Sequence, residues 1–145
     1  MKNIVVGSDH AGFEYKEAIK KHLVKLGYQV VDVGTFSTES VGYPSYGHEA
    51  GKKIIAKAAD LGVLVCGTGE GIMIAANKVA GIRCGIGYDD AVASLIVQHN
   101  NANMISFGSR TMDLKDVLRR VEIFLSATFL GERHAKRVAD IEKIC

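Results

Sequence analysis

Cys66 leads into Gly67-Thr68-Gly69-Glu70-Gly71, a thiol followed by three glycines in five residues. Glycines let successive backbone N–H groups converge on an anion, and a helix starting there adds the positive end of its dipole. The anion is either a phosphate or an oxyanion formed during a reaction. A dinucleotide fingerprint is excluded, because it follows the first strand with Gly-x-Gly-x-x-Gly spacing, and no Gly-Lys-Ser/Thr ending marks a nucleotide loop. Cys66 itself has two readings. A free cysteine at the end of an apolar run is commonly a small core residue. A thiol at a helix N-terminus is also where a thiolate base or nucleophile forms.

Other chemistry-bearing residues stand apart from this loop. Asp9 and His10 occur in Ser8-Asp9-His10-Ala11-Gly12, and Arg110 in Gly108-Ser109-Arg110. His99-Asn100 closes an amphipathic stretch, where an imidazolium suits a helix C-terminus. His10 reads either as a cap of the first turn or as a site residue. Arg133 and Arg137 are four apart on one helical face with His134 adjacent, which suits a phosphate. Lys136 beside them gives the other reading, a solvated basic turn. His22 and His48 read as surface, Cys84 as core, and Cys145 as incidental.

The elements that must position these groups alternate. Strands are expected at Asn3–Ser8, Tyr28–Val33, Leu61–Cys66, Ile82–Tyr88 and Asn103–Phe107. Helices are expected at Phe13–Leu26, Ser45–Asp60, Gly71–Val79, Asp89–His99, Leu114–Phe129 and His134–Ile144. In the first helix Ala18, Ile19, Leu23 and Leu26 form the apolar stripe, and Gly27 stops it. Alternating short apolar runs and amphipathic runs predict an α/β fold, a parallel sheet with helices on both faces. Ligands in such folds bind beyond the carboxyl ends of the strands. The segments after Ser8, Cys66, Tyr88 and Phe107 meet there, and the irregular stretch Thr35–Tyr43 could border the site. His99-Asn100 falls at the opposite edge and needs another way in.

Composition limits the function classes. The chain has 145 residues, enough for a single domain spanning 1–145, and 48% are hydrophobic. A net charge of +2 gives no cause to expect a nucleic acid or membrane partner. No apolar run approaches the roughly 20 residues of a membrane span, and the N-terminus lacks signal-peptide features. Three cysteines at 66, 84 and 145 fit neither a disulfide framework nor a metal site, so no metal or cofactor is expected and the compartment reads as cytoplasmic.

In order along the chain, Gly7-Ser8-Asp9-His10-Ala11-Gly12, Val33-Gly34-Thr35, Tyr43-Pro44 and Cys66-Gly67-Thr68-Gly69-x-Gly71 form a recognisable series. Ile74-Ala75-Ala76-Asn77-Lys78, Gly81-Ile82-Arg83, His99-Asn100-x-Ala102-Asn103, Phe107-Gly108-Ser109-Arg110 and Arg133-His134-x-x-Arg137-Val138 continue it. Together they resemble the ribose-5-phosphate isomerase B family, also called ribose/galactose isomerases, over essentially the whole chain. The resemblance implies a three-layer α/β/α Rossmann-like sandwich with five parallel strands. It implies a homodimer, or a dimer of dimers, with sites shared between subunits. It implies that Cys66 moves a proton between C1 and C2 of a phosphorylated pentose and that His99 assists furanose opening. The amides of Gly67, Gly69, Glu70 and Gly71, with Thr68, would hold the enediolate, the Glu70 side chain facing solvent. Asp9, His10 and Asn100 would contact the sugar. His10, Arg110, Arg133, His134 and Arg137 would surround the phosphate, the last three coming from the partner subunit.

Two departures matter. Gly42 stands where many relatives carry Asp before Tyr-Pro, so that contact is absent or replaced by Ser45 or Tyr46. Ile72 stands where cysteine-less relatives carry a glutamate base, which leaves Cys66 as the candidate. Allose 6-phosphate and galactose 6-phosphate remain alternative substrates. A non-catalytic sugar-phosphate sensor would lack the base, and a thiol redox protein would need a second cysteine nearby.

Overall fold

The computed structural model describes residues 2–143, so Cys145 and the end of the expected last helix at Ile144 lie outside the described residues. Five strands, β1 (Asn3–Ser8), β2 (Gln29–Asp32), β3 (Leu61–Cys66), β4 (Cys84–Ile86) and β5 (Met104–Gly108), form one parallel sheet ordered β2-β1-β3-β5-β4. Six helices connect and flank them: α1 (Phe13–Lys25), α2 (Pro44–Ile55), α3 (Glu70–Asn77), α4 (Asp90–Asn100), α5 (Leu114–Ser126) and α6 (Arg133–Ile141).

Alternate strand residues feed two cores. Val6, Val63, Val65, Ile105 and Phe107 pack against α1, α4 and α5 through Ile19, Leu23, Val97, Val117, Val121 and Phe124. Val5, Leu64, Cys66 and Met104 face the other way, against Ala50 of α2 and Ile72 and Ala76 of α3. The sheet is covered on both faces, which is why its central strands read as unbroken apolar runs. β1 and β5 exit into helices on one face and β3 into a helix on the other. The loop after β3 therefore has a diverging crevice on each side, where open α/β sheets hold ligands.

Several boundaries differ from the sequence reading. α2 ends at Ile55 rather than Asp60, because Lys57 turns left-handed at φ 62°. β4 keeps three residues, since the amides of Asn77 and Asn103 pair with the backbone of the edge segment at Cys84, Arg83 and Gly81. α5 stops at Ser126, three residues before Phe129. In α1 the buried face is Lys16-Ile19-Leu23, while Leu26 is exposed. Lys16 Nζ is buried against Asp32 Oδ2 at 2.6 Å, with Phe13 and Phe36 rings 5.5 and 5.2 Å away. His22 is half-buried and contacts Glu122 at 3.1 Å, and His48 is half-buried too, so neither is a plain surface residue.

Candidate active site

Cys66 is the last residue of β3 and is only 4% exposed. The chain turns directly beneath it, because Gly69 adopts φ 84°, a left-handed value that glycine takes freely. That turn aims the Gly69 N–H at the sulfur, N to Sγ 3.1 Å. α3 then begins at Glu70, so its N-terminal dipole also points at the thiol. Negative charge on Sγ thus meets donors already in place. Ser106 Oγ, buried inside the sheet, donates to Gly69 O at 2.8 Å and fixes the turn from below. The Glu70 N–H donates to Thr68 Oγ1 at 3.2 Å, while the Glu70 carboxylate is exposed.

Two side chains cover the glycines. The Arg110 guanidinium lies over Gly67, 3.1 Å from where a Cβ would sit. The Tyr43 ring lies against Gly71, where a Cβ would come within 2.6 Å of it. Any side chain at Gly67 or Gly71 would displace these two groups.

The loops after β1 and β5 are tied to the same spot. Ser109 N–H donates to Cys66 O and Arg110 N–H to Gly67 O, both at 2.9 Å, and Ser109 Oγ donates to Ala11 O at 2.8 Å. Asp9 Oδ1 accepts the Gly12 N–H at 3.0 Å, so Asp9, not His10, braces the first turn. His10 reaches instead across to the irregular stretch, its Nδ1 3.1 Å from Val41 N and 3.2 Å from Val41 O. Cys66, Thr68, the glycine loop, Asp9, His10 and Arg110 therefore share one edge.

His99, Asn100, Arg133, His134 and Arg137 gather at the other edge. α4 ends at Asn100 and is closed by left-handed Asn101, whose N–H donates to Val97 O. Arg83, just before β4, donates to the Asn100 and Asn101 carbonyls at 3.1 Å. Met104 starts β5 at this edge and Gly108 ends it beside Cys66. Four strand rises, about 13 Å, separate the two clusters along the sheet. α6 packs on α4, and the His99 and His134 rings stack with centroids 4.3 Å apart. Burial, together with the charges of His99, Arg133 and Arg137, holds the His134 imidazole below its ordinary range. Arg133 and Arg137 are exposed and form no ion pair among the described residues.

Residue types and spacing did not reveal Tyr43, the Val41 backbone or Ser106. The first two sit in the Thr35–Tyr43 stretch, whose length was one signal and whose closing Tyr43-Pro44 pair, part of the recognisable series, was another. Ser106 gave a weak one, a lone hydroxyl in an apolar strand. Gly42 and Ser45 are exposed, a Cβ at Gly42 meeting only Pro44 Cδ at 3.7 Å, and Tyr46 packs inward against Gly34. Cys84 is buried with its thiol pushed well above the usual range by burial, in keeping with a core residue. No group of three or more His, Cys, Asp and Glu side chains among the described residues could hold a metal. No described helix is long and apolar enough to cross a membrane.

The sequence profile described as Ribose/Galactose Isomerase matches residues 4–141. Ribose-5-phosphate isomerase B of Escherichia coli (strain K12) is 43% identical over 144 residues, covering 99% of this chain and 97% of that protein. The crystal structure of a ribose 5-phosphate isomerase from Thermotoga maritima superposes with TM-score 0.96 at 40% identity, covering 99% of each chain. Ribose-5-phosphate isomerase B from Mycoplasma genitalium, solved with bound ribulose-5-phosphate, superposes with TM-score 0.92 at 36% identity, covering 97% of this chain and 93% of that one.

Proposed function

The chain belongs to the ribose/galactose isomerase family, and we propose that it interconverts ribose 5-phosphate and ribulose 5-phosphate through an enediolate held at the Cys66 loop. The observation that carries this reading is the Gly69 N–H directed at Cys66 Sγ at the start of α3, with Thr68 and Arg110 around it.

In the forward direction the Cys66 thiolate takes the proton from C2 of the open aldehyde. The C2–H electron pair becomes the C1–C2 double bond, and the carbonyl oxygen gains the charge. Backbone donors of the loop meet that charge without having to reorganise; one such donor is typically worth about 3–4 kcal/mol of barrier. The proton returns from sulfur to C1, and the hydroxyl proton on O2 moves to O1, leaving the ketose. Atoms balance with no added oxidant or cofactor. Asp9, His10 and Asn100 suit the sugar hydroxyls. His10, Arg110, Arg133 and Arg137 supply the donors and charge a phosphate needs. His99 opens the furanose by moving a proton between the ring oxygen and the C1 hydroxyl.

One chain leaves His99 and Cys66 at opposite edges, so we infer a dimer in which each site takes Cys66 from one subunit and His99, Asn100, Arg133 and Arg137 from the other. The exposed side chains Ile74, Leu95 and Ile141 support this, standing on the elements around the open β4 edge. A cavity of about 360 Å³ there is lined by Ile82, Cys84, Ile96, Ala102, Asn100 and Ile141. Free Cys66 and Cys84 suit the cytoplasm, where we place the reaction.

A six-carbon substrate is the second reading. A groove of about 590 Å³ opens beside the loop between Thr68, Glu70, Tyr88 and Met112, with room for one more carbon. The deciding experiment compares kcat/KM for ribose 5-phosphate, allose 6-phosphate and galactose 6-phosphate on metal-free protein. A preference for the pentose is expected. Activity on none of the three would refute the isomerase reading.

A further inference from the structure

His99 and His134 are separated by 34 intervening residues and belong to different helices, yet their rings stack almost parallel, 12° apart, with centroids at 4.3 Å. The contact is built into the fold. Leu130 N–H donates to Gln98 O at 3.1 Å, tying the α5–α6 connection to the last turn of α4. His134 N–H then donates to Gly131 O at 2.9 Å, starting α6 at that point. His134 is only 7% exposed, whereas Arg133 and Arg137 on either side of it are exposed.

We propose that His134 is a positioning residue for His99: its covered ring fixes the plane of the His99 imidazole for furanose opening and is not itself a phosphate ligand. This rests on the isomerase reading above. A phosphate ligand must present a donor to the anion, as exposed Arg133 and Arg137 can. His134 is instead mostly buried, with a ring face covered by the His99 ring. The titratable and charged groups facing it are His99 of α4, Arg133 and Arg137 of α6, and Glu132 at the N-cap of α6. Burial, His99, Arg133 and Arg137 lower the ring's affinity for a proton, which suits a covered, stacked ring better than a charge partner for an anion.

The test uses the difference between the two sugars. Ribose 5-phosphate closes to a furanose through O4, so it needs opening. Ribulose 5-phosphate has its O5 esterified and stays open, so exchange of its C1 proton with D₂O needs only Cys66 and the loop. His134→Ala should lower kcat for ribose 5-phosphate about ten- to a hundred-fold, the scale of a misplaced catalytic group, with little change in KM. Its C1 exchange on ribulose 5-phosphate should stay within about twofold, since that step bypasses His99. His134→Phe, which keeps a flat ring, should recover most of the loss, and His134→Gln should not. Should His134→Ala not fold, the order of Phe above Gln decides. A raised KM with equal loss of both reactions, or Gln outperforming Phe, overturns the proposal in favour of a phosphate ligand. Unchanged His134→Ala overturns it outright. Wild-type protein lacking both turnover and exchange refutes the isomerase reading instead, and this proposal with it.

Discussion

The Gly69 amide points into the sulfur of Cys66 at 3.1 Å, from a turn that only a left-handed residue can make. Fold and chemistry meet at this contact, because the same turn starts α3 and ends the core strand. A buried thiol alone would be a core residue. A buried thiol receiving an amide at a helix start has a donor already aimed at its sulfur.

Cys66→Ala should therefore remove about 10²–10⁴-fold of kcat, the usual worth of a positioned proton-transfer group. Thermal unfolding should shift little, since a small side chain is lost from the edge of the core. More than a tenth of wild-type kcat remaining would reassign the base.

Gly69→Ala should damage both stability and rate. A left-handed alanine costs roughly 1–2 kcal/mol, and its Cβ would come 2.8 Å from the Phe107 carbonyl carbon, backbone that cannot move aside. The loop must shift, and the amide leaves the sulfur. Gly27→Ala is the control. Gly27 has φ 93° but nothing within 4 Å of a Cβ, so it should cost stability by about the same conformational amount and leave kcat intact. Comparing denaturant midpoints and kcat for the two separates strain from function.

Mixed dimers test the shared site. Coexpressed Cys66→Ala and His99→Asn chains, each inactive alone, would form a mixed dimer with one intact site and one doubly disabled site. Random pairing of a two-fold dimer gives about a quarter of wild-type activity. No recovery in the purified mixed dimer would mean that the two clusters act within one chain or not together.

Much of this was legible in the residues. The alternating apolar runs gave the layers, and Gly67–Gly71 after Leu61–Cys66 marked the turn between a strand end and a helix start. Element ends were less legible, for particular reasons. β4 is an edge strand trimmed by two asparagine side chains that lie seven and twenty residues from their backbone partners. Lys16 sits at an inward position that a hydrophobic stripe assigns to no lysine, because its partner Asp32 is on another element. The His99–His134 stack is invisible for the same reason: no periodicity relates residues on α4 and α6, and only their packing brings the rings together.

The Lys16–Asp32 pair predicts a pH-dependent stability. Burial alone would raise the Asp32 carboxyl, but hydrogen bonds from Lys16, Lys20 and Gly34 N–H outweigh it and hold it below the ordinary 3.8. The unfolded chain then binds the proton more readily, so this contribution is complete above 3.8 and is lost as pH falls through the lower folded value. At neutral pH Lys16→Met should cost less than the ~3–5 kcal/mol of a buried carboxylate left unpaired, because Lys20 Nζ at 2.7 Å still pairs Asp32. Adding Asp32→Leu should recover part of it. Urea unfolding at neutral pH and near pH 3 checks both, and a Lys16→Met variant as stable as wild type would show that Lys20 suffices.

His134 gives a second titration, nearer neutrality. Its imidazole is held below the ordinary 6.5 by burial and by the nearby His99, Arg133 and Arg137, so the folded chain resists a proton that the unfolded chain accepts. Its contribution to stability is full above 6.5 and declines as pH drops through the lower folded value. His134→Phe has no such proton to resist. Its melting temperature should fall less than that of wild type between neutral pH and about pH 5, a window in which histidines, unlike ordinary carboxylates, account for most of the titration. Parallel slopes for the two proteins would mean that the stacked ring takes up its proton as freely folded as unfolded, which the cationic surroundings of α6 argue against.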